Sequence, residues 1–213
     1  MRENTLKTII QLYLMSFRKE KKYRLSYFET LEIKKILNKK GMSQLYPQRR
    51  INSCYFDNDK FELFADSEEG LLPRKKVRIR WYENNLDFKK ETKISSIEGR
   101  FKISNKIDHL KSLENLKKIR FFENDYGQLF PVMIVSYLRE YYSLKNLRIT
   151  IDTKIKYIDL RFKTEPTLDD NECVVEIKTP SDCRDDYIEK IFYHPTSRFS
   201  KYSRGLLHHN KMI

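Results

Sequence analysis

The sequence predicts an α+β protein whose main body is a mostly antiparallel sheet. Two patterns carry this expectation: apolar and ionic residues alternate with a period of two in at least six segments, and helical periodicity is scarce. No Pro/Ser/Gly-rich linker, low-complexity block or internal repeat divides the 213 residues, so one domain is expected.

Residues 5–17 (TLKTIIQLYLMSF) are the most apolar stretch near the N-terminus, but Lys7 and Gln11 interrupt them and no small-residue cleavage site follows. They read as a short docking helix, or as an extension ahead of a start at Met15. The expected organisation is an extension over 1–17, a domain over 18–206, and a plain polar tail over 207–213. In the first strand Lys22, Arg24 and Ser26 alternate with Tyr23, Leu25 and Tyr27. A helix over 29–39 places Leu31, Ile33, Ile36 and Leu37 on one side, with Gly41 as its stop. Asp57 is expected to cap a helix at 58–65.

Further on, Arg74, Lys76, Arg78 and Arg80 alternate with Lys75, Val77, Ile79 and Trp81, and Glu91 shares a face with Lys93. Residues 105–122 predict one or two amphipathic helices before Gly127. Tyr137 then shares a face with Arg139, as do Arg148, Thr150 and Asp152, and Glu176 with Lys178 opposite Val175 and Ile177. A last short helix is expected around Arg184–Phe192, before Pro195.

Composition narrows the chemistry. Lys+Arg number 43 against 30 Asp+Glu, a formal charge of +13, which calls for an anionic partner: nucleic acid, a membrane surface or a small polyanion. With 39% hydrophobic residues, including 14 Tyr and 13 Phe, the chain can still build a core. Five widely separated glycines write neither GxGxxG nor GxxxxGK[ST], which excludes Rossmann and P-loop phosphate binding. Cys54, Cys173 and Cys183 make no CxxC, and the four histidines make no HExxH, so structural zinc is not expected. The odd, sparse cysteines point to buried thiols in a reducing compartment, the cytoplasm. No run approaches the roughly 18–20 apolar residues of a membrane span.

Alternation alone leaves two arrangements open: ionic faces turned to water, or a sheet closed into a barrel with those faces lining a wet lumen. Two details favour the lumen. The repeated cations are largely Arg, whose planar fork suits phosphate oxygens. Carboxylates also recur beside lysines, in Glu91-x-Lys93 and Glu176-x-Lys178, a mixture suited to a divalent metal carrying a triphosphate.

Glu20-Lys21-Lys22-Tyr23, Ser53-to-Asp57 (SCYFD), Arg74-to-Tyr82 (RKKVRIRWY), Glu91-Thr92-Lys93, Tyr137-Leu138-Arg139, Leu147-to-Asp152 (LRITID), Glu172-to-Lys178 (ECVVEIK) and Ser200-Lys201-Tyr202 occur in that order. Together they resemble the VTC domain, the catalytic domain of the vacuolar transporter chaperone polyphosphate polymerases, a branch of the CYTH-like triphosphate tunnel metalloenzymes. The resemblance covers about residues 18 to 206. It implies a closed antiparallel β-barrel of about eight strands with the ionic faces inside and helices packed outside.

It also implies roles. Arg78, Arg80, Arg139, Arg148 and Lys201 fall on family positions that engage the reacting phosphates, with Lys22, Lys93, Lys102, Tyr137, Lys178 and Ser200 binding substrate; Arg100 takes the place of Lys102 if the register differs. Glu176, with Glu91 and Glu20, falls on acids for Mn2+ or Mg2+. The implied partners are ATP and polyphosphate rather than nucleic acid, and the implied activity is transfer of the ATP γ-phosphoryl group to a growing chain.

Two departures bear on this. Arg18 occupies the first acid of the superfamily's ExExK opening, which counts against the triphosphatase branch, and this sequence carries neither the SPX sensor nor the membrane helices of eukaryotic members. A phosphohydrolase acting on tripolyphosphate or a nucleoside triphosphate, and a non-catalytic polyanion or nucleic-acid binder, are the alternatives. Trp81 and most tyrosines are expected in the core, with Tyr23 or Tyr202 near a lumen mouth where they could touch a nucleotide.

Overall fold

A computed structural model describes residues 18–83, 85–180 and 183–210. The apolar segment 5–17, with its expected docking helix, lies outside them. The chain enters through β1 (Arg18–Ser26) and turns into α1 (Tyr27–Lys39) at a capping box: Ser26 Oγ accepts from Glu29 N at 3.2 Å while Glu29 Oε2 accepts from Ser26 N at 2.7 Å. The helix buries Thr30, Ile33 and Leu37. Leu31 and Ile36, expected on that face, stay exposed, because at about 100° per residue they fall outside this narrow stripe. Tyr27, expected in the strand, is the exposed first residue of the helix.

There follow β2 (Ser43–Asp57), α2 (Glu62–Glu69), β3 (Arg74–Tyr82), β4 (Asn85–Ser95), β5 (Arg100–Lys106), α3 (Leu113–Lys118) and β6 (Phe121–Glu123). The chain continues through β7 (Gly127–Leu144), β8 (Leu147–Asp159), β9 (Thr167–Asp169), β10 (Glu172–Pro180), α4 (Asp185–Glu189) and α5 (Lys201–Asn210).

Asp57 does cap a helix, accepting from Leu63 N and Phe64 N at 3.0 and 2.9 Å, but that helix starts at Glu62 rather than 58. In the region 105–122 the only helix is the six-residue α3, capped by Ser112; Asn105 and Lys106 are paired with β4, and Phe121 and Phe122 belong to β6. The expected tail is helical through Asn210, and His209 is buried, its ring nitrogens against Gly205 O and Pro166 O.

Eight strands form the main sheet in the order β1-β10-β8-β7-β2-β3-β4-β5, every neighbour antiparallel, while β6 joins β7 and β9 joins β8. The sheet curls into a half-barrel. Among the described residues no backbone ladder links the edge strands β1 and β5, so where the sequence predicts a closed barrel the sheet is an open half-barrel; Arg100 Nη1 lies 3.9 Å from Glu20 Oε2 between the two edges.

The convex face is apolar and covered. Tyr23, Leu25, Ile149, Ile151, Val175 and Ile177 pack under α1 and the α4 segment, and Cys54, Phe56, Val77, Ile79 and Phe88 pack with Leu63 of α2 and Leu116 of α3. The concave face is divided. One part is ionic; the other is lined by Met133, Val135 and Tyr157 and filled by Tyr202 and Leu206 of α5. Thus α5 lies inside the curl, unlike the outer helices the sequence predicts. Arg204 forks onto Asp170 at 2.5 and 2.8 Å, and Tyr202 donates to Asp57 at 2.7 Å.

A bulge separates the two parts on β8. Between the pairs Leu138↔Thr153 and Ser136↔Lys156 one extra residue enters β8, where Lys154 has φ +49°. Asp152 and Tyr157 therefore both face the concave side although their numbers differ in parity. No helix among the described residues is long and apolar enough to cross a membrane.

A Cβ on Gly205 would overlap Met133 Sδ and lie 2.6 Å from a Tyr157 ring carbon. Gly205→Ala is expected to destabilise the protein by about 1–3 kcal/mol through overpacking, seen as a lower urea midpoint at unchanged m-value.

Candidate active site

The ionic part of the concave face is built from alternate residues of the strands and from the first turn of α5. On β3, Arg78 and Arg80 are 8% and 9% exposed. Arg78 donates Nε and Nη2 to Glu91 Oε2 of β4 at 2.8 and 2.6 Å, and Nη1 to the Tyr55 hydroxyl at 3.0 Å. Arg80 donates to Ser53 Oγ at 3.1 Å and to the Tyr137 hydroxyl at 3.2 Å, with Nη1 3.8 Å from Glu91. Lys102 of β5 reaches the other Glu91 oxygen at 2.5 Å. Burial opposes the charge on Glu91, but Arg78, Arg80 and Lys102 outweigh it and lower the carboxyl to about 2.

A second cluster centres on Asp152, whose side chain is buried. Arg139 grips it bidentately at 2.6 and 2.7 Å, and Lys201 Nζ bonds Oδ2 at 2.6 Å. The Tyr137 ring is shared by these cations, 5.2 Å from the Arg139 guanidinium and 4.6 Å from Lys201 Nζ. Beside this, Lys178 lies 3.0 Å from Glu176 and 4.0 Å from Glu20, and Lys22 is 3.1 Å from Glu20. Burial resists ionising Glu176, yet Lys178, Lys22 and Arg139 hold its carboxyl well below the usual range.

Two lysines have their charged form disfavoured by their surroundings. Lys93 is an exposed residue, yet crowding of its ammonium among neighbouring protein groups, and then the Arg78 charge, lower it to about 7. Lys76 donates to Ser200 Oγ at 2.9 Å and is lowered to about 8, first by burial and further by Lys22, Arg74 and Lys93. Tyr55 responds in the opposite sense: burial raises its phenol, but Arg78 and Arg80 prevail and bring it down to about 8.

The predicted positions thus converge on one concave surface: Lys22, Arg78, Arg80, Lys93, Lys102, Tyr137, Arg139, Lys178, Ser200 and Lys201 together with Glu20, Glu91 and Glu176. Arg148 shares the face, pairing with Lys178 in the ladder, but is exposed at the rim. Sequence reasoning missed Asp152, Lys76 and Tyr55 as site residues. Each was signalled by parity, since Asp152 follows Arg148 and Thr150, Lys76 precedes Arg78, and Tyr55 follows Ser53 at intervals of two. Tyr23 and Tyr202, expected near a mouth, are 1% and 2% exposed.

The three predicted metal acids do not gather; among the described residues no three His, Cys, Asp or Glu side chains come together in a metal-holding group. Glu91 is occupied by arginine and lysine. Glu20 and Glu176 do share one neighbourhood through Lys178, and Thr150 Oγ1, opposite Glu176 across the β8–β10 ladder, is buried without a hydrogen-bond partner. Two carboxylates suit Mg2+ or Mn2+, hard ions that complete their coordination with water and substrate phosphate oxygens. Two cavities of about 350 and 290 Å³ lie away from this surface, one beside Asn58 and Tyr126 and one beside Lys75 and Lys90.

The curled antiparallel sheet is a fold that this chain shares with several solved structures. Solved structures agree on the fold: the PH1819 protein of Pyrococcus horikoshii aligns with TM-score 0.54 at 16% identity over 92% of this chain and 99% of its own. A candidate adenylate cyclase of Bacillus halodurans aligns with TM-score 0.54 at 16% identity, covering 87% and 94%. A candidate adenylyl cyclase of Hippeastrum, described as having a dominant triphosphatase activity, aligns with TM-score 0.50 at 14% identity, covering 86% and 92%. No curated protein matches the chain. Residues 17–209 match the VTC domain, and the chain belongs to that family.

The lowered lysines set two expectations. Between about pH 7 and the ordinary lysine value of 10.5 the unfolded chain holds a proton on residue 93 that the folded chain lacks, so stability gains from this group as pH rises through that window. Urea midpoints at pH 7.5 and 9.5 are expected to show a smaller upward slope in Lys93→Met than in the wild type. Tripolyphosphate binding at pH 8 is expected to take up protons as Lys93 and Lys76 recharge, measured by calorimetry in buffers of different ionisation enthalpy.

Proposed function

We propose that the chain is a polyphosphate polymerase, transferring the γ-phosphoryl group of ATP to the end of a polyphosphate chain bound on the concave face. The observation that carries this reading is the convergence of Arg78, Arg80, Arg139 and Lys201 on one enclosed surface, each already oriented by a buried carboxylate. In phosphoryl transfer the terminal oxygen of the acceptor forms the new P–O bond while the bond to the β,γ-bridging oxygen breaks and ADP departs. Charge spreads over equatorial and leaving oxygens, so positioning and electrostatic stabilisation dominate. The arginines supply preorganised forks, and Lys93 and Lys76 regain protons as anionic charge arrives. The acceptor is already an anion, so no general base is required.

Glu20 and Glu176 would hold Mn2+ or Mg2+, which supplies Lewis-acid neutralisation of phosphate oxygens when bound. Cys54, Cys173 and Cys183 are free and buried, which supports a reducing compartment such as the cytoplasm; the proposed partners are ATP and polyphosphate rather than nucleic acid.

One observation favours a second reading. Because α5 fills one part of the concave face, a short substrate fits the remaining space more readily than a long chain needing a second exit, as hydrolysis of tripolyphosphate or a nucleoside triphosphate would require.

Incubation with ATP and Mn2+ or Mg2+, followed by separation of long polyphosphate from free phosphate, distinguishes these readings. Chain growth supports the polymerase, phosphate release alone supports the hydrolase, and tight polyphosphate binding without turnover supports a binder. Arg80→Ala and Glu176→Gln are each expected to lower turnover at least about 100-fold with circular dichroism unchanged; full activity in either would overturn the site assignment.

A further inference from the structure

We propose that Tyr46, Arg49, Tyr82 and Tyr141 form a nucleobase platform at the rim of the ionic surface, so that the site is built for a nucleoside triphosphate rather than an inorganic one. The proposal rests on the triphosphate reading of that surface and adds where the nucleoside lies.

Arg49 stands directly opposite Arg139 in the β2–β7 ladder, and opposed residues of an antiparallel pair point to the same side, so Arg49 shares the concave face beside a proposed phosphate contact. Tyr141 follows Arg139 by two residues and Tyr82 follows Arg80 by two, which brings both to the same face. The Arg49 guanidinium lies 4.9 Å from the Tyr141 ring centre, 5.5 Å from Tyr82 and 5.9 Å from Tyr46. The Tyr46 ring meets Tyr141 edge-on at 5.8 Å and 85°.

Two contrasts separate this group from ordinary core packing. Arg78, Arg80 and Arg139 each have a carboxylate partner, whereas Arg49 has none among the described residues and is held by rings alone. Tyr46 is 49% exposed, whereas Tyr141 beneath it is 6% exposed, so one ring of the cluster offers its surface to the solvent at the mouth. The backbone is adjusted to present them. Register shifts fall on both sides of Tyr46 in the β2–β7 ladder, and Gln44 Nε2 donates to Tyr46 O at 3.0 Å. Such irregularities re-aim side chains at the edges of sites.

An exposed aromatic ring with a planar cation beside it suits a flat heterocycle, since stacking and cation–π attraction act on any base and discriminate little among them. Tyr23 and Tyr202 cannot serve. Tyr23 stacks on Phe192 at 4.8 Å, and Tyr202 is stacked on Tyr55 at 5.1 Å with its hydroxyl on Asp57.

Calorimetric titration with ATP and, separately, with inorganic tripolyphosphate, both with Mg2+, tests the platform. Tyr46→Ala is expected to raise the ATP dissociation constant about tenfold while changing that for tripolyphosphate less than twofold, and Tyr46→Trp is expected to restore ATP binding. Equal effects on both ligands, or no effect on ATP, would overturn the platform and leave the phosphate site standing. Wild-type protein that binds neither ligand would overturn the phosphate reading and the platform with it.

Discussion

Crowding cations onto the inside of a curled sheet is costly, and the rest of the molecule is arranged around bearing that cost. Facing residues on neighbouring strands are about 5 Å apart, where two like charges repel by about 3 kcal/mol at an effective dielectric of 20. Glu91 and Asp152 answer this most directly. Each is buried and accepts from more than one cation, so attraction at contact distance offsets repulsion at strand spacing. Elsewhere the protein resolves the problem differently: desolvation and neighbouring cations outweigh the nearby carboxylates and lower Lys93 and Lys76 toward neutral pH, so that part of the charge is lost.

The same arrangement explains why α5 matters to the surface as well as to the core. Its first turn brings Lys201 onto Asp152, while Ser200, just before it, sits by Lys76, and its following turns seat Tyr202 and Leu206 on the apolar part of the sheet. Packing of the helix therefore fixes the position of a cation that the strands alone do not supply. The gap between the edge strands β1 and β5 is of a different character, bridged by Glu20 and exposed Arg100 at 3.9 Å, a contact that water and salt screen.

Much of this was legible in the sequence, because side-chain parity in a strand is rigid. Once Arg78 and Arg80 are placed inside, Val77, Ile79 and Trp81 must lie outside, and the ladders agree. What parity does not encode is which ionic residues touch. Asp152 carries the same signature as Thr150, and only the fold brings Arg139 and Lys201 to it. Helices were read less well, since Leu31 and Ile36 look apolar in sequence but core contact depends on how the helix is rotated against the sheet. The helix α5 itself was not read from the sequence, where 207–213 look like a polar tail, and an amphipathic pattern would in any case not say which side of the sheet covers it.

The bulge at Lys154 has a consequence beyond local geometry. It acts as a phase slip: before it the even-numbered residues of β8 look into the curl, and after it the odd-numbered ones do. A single strand thereby lends the same side of the sheet first to charge, with Arg148, Thr150 and Asp152, and then to oil, with Ile155 and Tyr157. Removing one residue there would rotate the remainder of the strand through the sheet, turning Lys156 onto Tyr202 and the Tyr157 ring outward. The border between solvent-filled and side-chain-filled space is written into the chain as one supernumerary residue, and it can be found by noting where an alternating pattern changes step.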